Sequence, residues 1–355
     1  MKLWKTPLVC AVAAAVGLSL GGCASWDNPV QTEQKALSQS LATGADPHQA
    51  EGVAMVSEIS EVEPVEAERE TALPVELTDA DGHDVTVTDT SRILALDLYG
   101  TYTKTLRGIG LADNIVGRTV SSAEPSLSDL PVVTENGHSL NVEAILNLRP
   151  TLVIVDHSVG PSEAIDQIRA AGVTTVVMEP KRTMASMGED IMNVASVVGE
   201  PEAGKLLAER SEKEVQQALE AIKQVVPKQP LRMSFLYARG TGGVFYLLGG
   251  EDGTKDLIEA LGGVDVNTEN GIGNASPASP EALTQVNPEV FVMMNGGLQS
   301  TGDIEGLLQR PGVAQTTAGQ HKRVLSLPDG DSLAFGPQTG ELLLRAAHAL
   351  YGEGQ

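Results

Sequence analysis

The sequence predicts an α/β protein of two lobes, each with a parallel-rich sheet, joined by one long rigid helix. Three observations predict this fold class. From about residue 73 onward, apolar runs alternate with helical stretches. A thirteen-residue segment recurs in the second half, and an uninterrupted helical pattern lies between the halves. A chain of 355 residues is also long enough for two hydrophobic cores of ordinary size.

The first half contains apolar runs that have the composition of buried strands, separated by segments of helical periodicity. Strands are predicted at 92–97, 152–156 and 173–178. Helices are predicted at 101–109, 142–148 and 162–171. This β-α alternation predicts a parallel sheet that is covered on both faces. The acidic, glycine-containing segment at 79–84 predicts a β-hairpin turn.

The second half repeats this organisation. Strands are predicted at 231–237, 289–294 and 323–327. Helices are predicted at 256–261, 281–286 and 340–350. Residues 143–155 align without gaps with residues 281–293, and both segments begin with Glu-Ala and carry a proline before a buried strand. Their equal placement favours an ancient duplication and therefore two lobes.

The segment between the halves has the pattern of one helix. Pro201 opens it, Pro227 ends it, and apolar residues recur between charged ones with helical spacing. The predicted organisation is an N-terminal lobe at 73–200, an inter-lobe helix at 201–227 and a C-terminal lobe at 228–355.

The N-terminus has the pattern of a secretory signal at 1–22. Lys2 and Lys5 precede an apolar run, which ends in Leu20-Gly21-Gly22-Cys23. Small residues directly before a cysteine resemble the lipobox of bacterial lipoproteins. That resemblance implies cleavage before Cys23, lipid modification of Cys23 and a location on the cell membrane, facing outside the cytoplasm. Because Cys10 leaves with the signal, the mature chain has no cysteine pair for a disulfide.

Residues 23–72 are rich in acidic and small polar residues, which predicts a disordered tether behind the lipid anchor. A buried amphipathic helix at 33–41 is the alternative. The formal net charge of the whole chain is −23, so the basic surface that neutralises nucleic-acid phosphates is missing. Nucleic acid is therefore excluded as an expected partner.

Together, the lipobox, the repeated Glu-Ala…Pro segment and the long helix resemble the substrate-binding lipoproteins of metal-chelate ABC importers. Those proteins carry vitamin B12, siderophores or haem, and they have two Rossmann-like lobes joined by one long helix. The resemblance implies a binding protein rather than an enzyme, with an ABC permease dimer as its partner. In that class one exposed glutamate on each lobe docks onto the permease, and Glu143 and Glu281 occupy the matching positions.

Ligands of open parallel sheets bind beyond the carboxyl ends of the strands. In the first half this rule selects Tyr99, His138 and His157. In the second half it selects Tyr237 with Arg239, then Asn295, then Asp329. His138 follows Gly137, which gives its loop conformational freedom. Tyr237 and Arg239 are two residues apart on a strand, so their side chains are expected to share one face.

Imidazole and phenolate are both axial ligands of haem iron. The His138, Tyr237 and Arg239 pattern resembles the HmuT-type haemin-binding lipoproteins, in which a histidine and a tyrosine from opposite lobes hold the iron. That resemblance implies haem b as cargo, His138 and Tyr237 as iron ligands, and Arg239 as a support for the tyrosine or a propionate partner. Tyr99, His157 and Asn295 are candidates for lining the pocket. Haem-donor proteins are then expected as upstream partners.

Two other interpretations remain open at this stage. The first is a binding protein for cobalamin or a ferric siderophore, although the folded region carries few aromatic side chains for such a pocket. The second is a free Zn²⁺ or Mn²⁺ site, which would have to be assembled from His138, His157 and Asp329. Serine-hydrolase, zinc-protease and nucleotide-binding motifs are missing from the sequence.

Overall fold

The computed structural model describes residues 36–39, 41, 46–67 and 71–352. The predicted signal at 1–22 and the predicted lipid-modified Cys23 lie outside these residues. Within the described part of the chain, no helix is both long enough and apolar enough to cross a membrane.

The described residues form two main sheets and two small two-stranded sheets, surrounded by helices. The strands in chain order are β1 Val53–Met55, β2 Val75–Thr78, β3 Asp84–Val87, β4 Ile93–Leu96, β5 Ile115–Gly117, β6 Thr134–Glu135, β7 Ser139–Leu140, β8 Leu152–Asp156, β9 Thr174–Met178, β10 Arg232–Arg239, β11 Val244–Leu247, β12 Val264–Asp265, β13 Ser276–Pro277, β14 Val290–Met294 and β15 Val324–Leu327. From residue 71 onward the α-helices are α1 Thr101–Gly108, α2 Val142–Asn147, α3 Ser162–Ala170, α4 Met187–Val197, α5 Pro201–Lys223, α6 Thr254–Ala260, α7 Val266–Glu269, α8 Pro280–Val286, α9 Asn295–Ser300, α10 Asp303–Leu308, α11 Thr317–Gln320 and α12 Thr339–Tyr351.

The sheet of the N-terminal lobe is parallel throughout, in the strand order β5-β4-β8-β9. Every residue of β4 and β8 is buried, because helices cover both faces of the sheet. The parallel arrangement predicted from the β-α alternation is therefore confirmed. The predicted hairpin turn at 79–84 is also confirmed, since β2 and β3 pair antiparallel around it.

The sheet of the C-terminal lobe is mixed, in the order β1-β15-β14-β10-β11-β13, with β12 beside the start of β10. The pairs among β1, β15, β14, β10 and β12 are parallel, and β11 and β13 add an antiparallel edge. The repeated sequence segment forms α2 and β8 in one lobe and α8 and β14 in the other. Both copies are thus a short helix, a proline-containing turn and a buried strand, as predicted.

The predicted inter-lobe helix is confirmed as α5, which has 23 residues and a length of about 35 Å. It packs against α4 of the N-terminal lobe and α12 of the C-terminal lobe. A Cβ on Gly204 would overlap the side chain of Ala195, so glycine is what allows α5 and α4 to approach so closely. The helix ends at Lys223, four residues before the predicted end at 227. Within that difference, Val226 directly precedes Pro227, which disfavours helical backbone angles at Val226.

One buried apolar cluster runs through both lobes. It joins the inner faces of the two sheets to the side chains of α1, α4, α5 and α12. Separate smaller clusters fill the outer face of each sheet. Since moving one lobe relative to the other would expose part of the shared cluster to water, we expect the two lobes to behave as one stiff body.

Residues 53–67, which we call the strap, connect the two lobes on the side of β15. The strap begins as β1, which pairs in parallel with β15 at the edge of the C-terminal sheet. Further along, the backbone N–H and the hydroxyl of Ser60 both donate to Glu341 Oε1, at 3.0 and 2.9 Å. Glu61 then forms a 2.6 Å ion pair with Arg107 of α1 in the N-terminal lobe.

The strap continues along the N-terminal lobe. The Val65 N–H donates to the carbonyl of Gly108, and Arg210 of α5 donates to the carbonyl of Glu63. The prediction of a disordered tether over 23–72 is therefore wrong for residues 46–67. Acidic composition suggested a chain without partners, but these acidic residues and backbone groups are bound by donors on both lobes and on α5.

The alternative that placed a helix at 33–41 agrees better with the structure. Residues 36–39 are helical, and Leu37 and Leu41 pack against the shared apolar cluster. The carbonyl of Leu37 lies 2.8 Å from Nε2 of His348 in α12. The chain before the strap thus also contacts the C-terminal lobe.

Candidate functional site

His138 lies on the turn of a small hairpin in the N-terminal lobe. The strands β6 and β7 pair antiparallel, and residues 136–138 form the turn between them. Asn136 and Gly137 both have positive φ angles, of 50° and 90°, which glycine and asparagine adopt at the least cost. The His138 carbonyl accepts a hydrogen bond from the Gly160 N–H at 3.0 Å, which fixes the turn, while the imidazole itself is exposed.

Tyr237 and Arg239 lie at the carboxyl end of β10 in the C-terminal lobe. Tyr237 is half-buried, and the Arg239 Cζ is 4.9 Å from the centre of its ring. The two side chains therefore share one face of the strand, as the alternation predicted. Arg310 supports this end of the sheet by donating to the carbonyls of Gly240 and Gly242 in the turn between β10 and β11.

A loop of the C-terminal lobe, Pro328–Asp331, links the surroundings of these two groups; we call it the bridging loop. Asp329 forms a 2.8 Å ion pair with Arg239. Beside it, a Cβ on Gly330 would lie 2.7 Å from the carbonyl oxygen of Ser121, so the two backbones are in contact. The neighbouring Val120 N–H donates to the Thr134 hydroxyl of β6 at 3.0 Å. Contacts thus run continuously from the hairpin of His138 to Arg239.

Large apolar side chains are exposed on the loops beside these groups. Leu98 follows β4 and is 37% exposed, and Val120 follows β5 and is 50% exposed. On the other lobe, Val244 at the start of β11 is 39% exposed. Both lobes therefore carry exposed apolar side chains at or near their strand ends. The sequence patterns did not single out these residues, because one exposed leucine or valine is an ordinary surface feature.

Tyr99 lies behind the strand ends, in contact with a buried ion cluster. Arg182 donates to Asp156 at 2.6 Å and lies 3.5 Å from Asp97, and all three side chains are almost completely buried. Its guanidinium lies 4.5 Å from the ring centre of Tyr102 and 5.5 Å from that of Tyr99. Burial raises the pKa of the Tyr99 phenol, so the phenol stays protonated at neutral pH. None of the sequence patterns above predicts this cluster.

The side chains of His157 and Asn295 are already engaged by other parts of the protein. The His157 Nε2 lies 2.7 Å from Asp81, in the turn between β2 and β3. The Asn295 amide donates to the carbonyl of Val56 in the strap at 2.9 Å and accepts from the Ser326 hydroxyl at 2.6 Å. Asn295 thus holds the strap in place, and it lines a cavity beside the strap. That His157 and Asn295 line the ligand pocket stays a prediction.

A cavity of about 430 Å³ lies between the strap, the loop that follows β5 and the bridging loop. Most charged groups in its wall are paired with neighbours. Glu61 binds Arg107, and Lys104 donates to the Gly330 carbonyl and lies 3.5 Å from Asp331. Burial opposes the charge on Lys104, but nearby carboxylates outweigh that effect and raise its pKa. Lys104 therefore stays charged and fixes the bridging loop to α1.

The fold and the position of these groups define a two-lobed binding protein with its polar groups at the strand ends. The chain belongs to the periplasmic binding protein family, whose model matches residues 97–330. The family consists of binding proteins that work outside the cytoplasm.

Solved structures are similar over most of the chain. The haem-binding protein HmuT is 63% identical, covers 86% of this chain and 99% of its own, and superposes with a TM-score of 0.85. The periplasmic haem-binding protein RhuT from Roseiflexus sp. RS-1 is 34% identical, covers 74% of this chain and 98% of its own, and has a TM-score of 0.69.

A curated relative, the vitamin B12-binding protein of Photorhabdus laumondii, is 22% identical over 187 residues. That match spans 53% of this chain and 65% of the relative, so only about two thirds of the relative's length is covered.

Proposed function

We propose that this protein binds haem outside the cytoplasm and delivers it to an ABC permease for uptake. The observation that carries the proposal is the pair His138 and Tyr237, one group from each lobe at the carboxyl ends of the strands, with Arg239 over the tyrosine ring. We infer that the exposed imidazole and the phenol bind a ferric ion from opposite sides. Phenolate is a hard anionic ligand that suits Fe(III), and imidazole is a common axial ligand of haem.

The surroundings of the pair suit a flat, largely apolar ligand with an ionic edge. Leu98, Val120 and Val244 offer apolar contacts for the porphyrin faces. The guanidinium of Arg239 is placed to stabilise the phenolate form of Tyr237 or to bind a propionate. Cleft surfaces that combine apolar walls with few polar groups are typical of small-molecule sites.

The similarity to HmuT supports the same three residues. The solved HmuT variants replace a histidine, a tyrosine and an arginine, each by alanine. In HmuT the histidine and tyrosine are 99 positions apart and the arginine follows the tyrosine by two. His138 and Tyr237 are likewise 99 positions apart, and Arg239 follows Tyr237 by two. The spacing supports His138 and Tyr237 as the iron ligands in this chain.

Cobalamin or a ferric siderophore is the second candidate for the cargo. The relative named for vitamin B12 is only 22% identical, whereas HmuT is 63% identical over most of this chain. The comparisons therefore favour haem over the other chelates.

Titration of the purified protein with haemin tests the cargo directly. We expect a Soret band that saturates at a fixed ratio of haemin to protein, with the visible spectrum of ferric haem bound through a phenolate. When cobalamin is added in the same way, the absorption spectrum of cobalamin should not change, because we expect the protein not to bind it. Saturable binding of cobalamin with no response to haemin would contradict the proposal and leave the fold assignment intact.

We propose that Glu143 and Glu281 of this protein dock onto the permease. Both are exposed, and both lie in the first turn of a helix whose start is capped by a side chain, Asn141 in α2 and Ser279 in α8. The two glutamates thus occupy equivalent positions in the two copies of the repeat. Exposed carboxylates at such positions are free to pair with arginines of a partner.

We predict that the double variant Glu143→Lys/Glu281→Lys loses binding to the permease complex while its haemin titration stays unchanged. Charge reversal replaces attraction by repulsion at two points of one interface. Co-purification with the detergent-solubilised permease measures this. The control Glu163→Lys/Glu305→Lys carries the same change in charge on exposed positions of both lobes. Equal loss of binding in the control would show that overall charge, not these two sites, governs docking.

The membrane attachment that we propose involves Cys23. Lipid modification of this residue would hold the protein on the outer side of the cell membrane, close to the permease. Leu37, Leu41 and residues 46–67 contact the folded lobes, so we infer a tether that is shorter than the sequence pattern indicated.

A further inference from the structure

Arg239, the residue proposed to support the iron ligand, already has a counter-ion. Its Nη2 donates to Asp329 Oδ1 at 2.8 Å, and the second carboxylate oxygen, Oδ2, accepts from the Gly296 N–H at 2.7 Å. Arg239 Nη1 also lies 3.3 Å from the carbonyl of Ala238. These contacts hold the guanidinium over the Tyr237 ring, with its Cζ 4.9 Å from the ring centre.

Asp329 itself is fixed in position. It belongs to the bridging loop, whose Gly330 carbonyl accepts from Lys104 of α1 at 2.9 Å, and whose Asp331 lies 3.5 Å from the same ammonium. Lys104 is almost completely buried, so this anchor is shielded from solvent. A carboxylate held by a backbone N–H on one side and by an anchored loop on the other has little freedom to follow Arg239 if the guanidinium moves.

Bound haem brings new anions to the same guanidinium. A tyrosine that binds iron carries negative charge on its oxygen, and each haem propionate carries another. The phenolate, the propionates and Asp329 would therefore compete for the single guanidinium of Arg239. Because the Arg239 and Asp329 side chains are 36% and 40% exposed, their ion pair is weak enough to be exchanged.

We propose that Asp329 competes with bound haem for Arg239 and thereby sets how fast the protein releases its cargo. This inference rests on the proposed function, because it assumes that Tyr237 binds haem iron. Asp329 is thus a positioning residue that acts through Arg239. A carrier must release its ligand to the permease. Because Asp329 can pair with Arg239 as soon as the guanidinium leaves the haem, it lowers the barrier to haem release.

The test is a double-mutant cycle on the purified full-length protein loaded with haemin. Transfer of haemin to excess apomyoglobin reports the release rate. We expect Asp329→Asn to slow release by about two- to fivefold, the effect that removing an ion pair of this exposure produces. In the Arg239→Ala background the same replacement should change the rate little. Glu305→Gln removes a more exposed negative charge, which is paired with Lys322; it is the control for the loss of charge alone and should leave the rate unchanged.

The visible spectrum supplies a second measurement that a purely structural role would not alter. If the guanidinium freed by Asp329→Asn donates a hydrogen bond to the phenolate, the phenolate-to-iron charge-transfer band moves to shorter wavelength. If release is slower but the band does not move, the group that Arg239 binds is a haem propionate. Equal slowing by Asp329→Asn with and without Arg239, or equal slowing by Glu305→Gln, would overturn the inference. Failure of the unmodified protein to bind haemin would instead refute the proposed function.

Discussion

Replacement of Tyr237 by alanine is expected to lower the affinity for haemin by about 100-fold or more. Loss of a residue that only supports a metal ligand typically costs about 10–100-fold in affinity, so loss of the ligand itself should cost at least as much. Tyr237 is half-buried at the end of a strand, and its removal should leave the fold intact. Soret titration measures the affinity, and the charge-transfer band of a ferric phenolate should disappear from the spectrum.

Two single-atom changes identify the phenol oxygen as the source of this effect. Tyr237→Phe keeps the ring beneath Arg239 and removes only the oxygen, so it should weaken binding nearly as much as alanine does. Tyr246→Phe makes the same change in the residue directly opposite on β11 and should bind haemin as the unmodified protein does. Normal affinity in Tyr237→Phe would show that Tyr237 lines the pocket without binding the iron.

The elements of both lobes were predictable from the sequence because burial leaves a local pattern. The strands β4 and β14 are apolar along their whole length, and β8 is apolar up to Asp156 at its end; the structure places each within one or two residues of the predicted range. A strand buried on both faces has to be continuously apolar, whatever surrounds it. The repeat around Glu143 and Glu281 likewise marked equivalent elements in the two lobes.

The strap was not predictable, because its order comes from partners that are distant in sequence. Val53–Met55 is too short for an alternating pattern, and it becomes a strand only beside β15, more than 250 positions later. In the sequence, Glu61 is one of many acidic residues in a polar segment. In the structure it pairs with Arg107 and accepts a hydrogen bond from the Ser126 N–H. Composition predicts the average behaviour of a segment, whereas specific pairing decides whether that segment is ordered.

The candidate site was predictable where local geometry decides and was missed where tertiary contacts decide. Strand alternation placed Tyr237 and Arg239 on one face, and the structure agrees. The engagement of Asn295 by the strap and the ion pair of Arg239 with Asp329 depend on how loops from distant segments meet. Those contacts show that Asn295 holds the strap, whereas Arg239 pairs with Asp329.

The buried ion cluster has a recognisable pattern in the sequence. The apolar strands β4 and β8 are each followed or ended by an aspartate, Asp97 and Asp156. Two carboxylates at neighbouring strand ends require a cation, and Arg182 supplies it from the loop that follows β9. Tyr102 adds a hydrogen bond from its hydroxyl to Asp156 at 2.8 Å. The cluster fixes the loops from which the N-terminal side of the cleft is built.

Replacement of Arg182 by methionine is expected to lower the free energy of unfolding by about 3–5 kcal/mol, the cost of leaving a buried charge without its partner. The Arg182 side chain is 3% exposed, and Asp97 and Asp156 are completely buried. Chemical denaturation measures the loss. Arg323→Met is the matched control, because Arg323 is equally buried but, among the described residues, is paired with no carboxylate and donates to the Leu350 carbonyl. It should cost far less.

The pH dependence of the Arg182→Met variant separates lost charge pairing from lost packing. Burial raises the pKa of Asp97 even with Arg182 present, and removing the guanidinium should raise it further. A carboxyl whose pKa is higher in the folded state than in the unfolded state binds more protons when folded, so the free energy of unfolding rises as the pH falls toward the unfolded pKa. We therefore expect the deficit of Arg182→Met to shrink between pH 7 and pH 5. A deficit that stays constant over this range would mean that the variant loses packing alone.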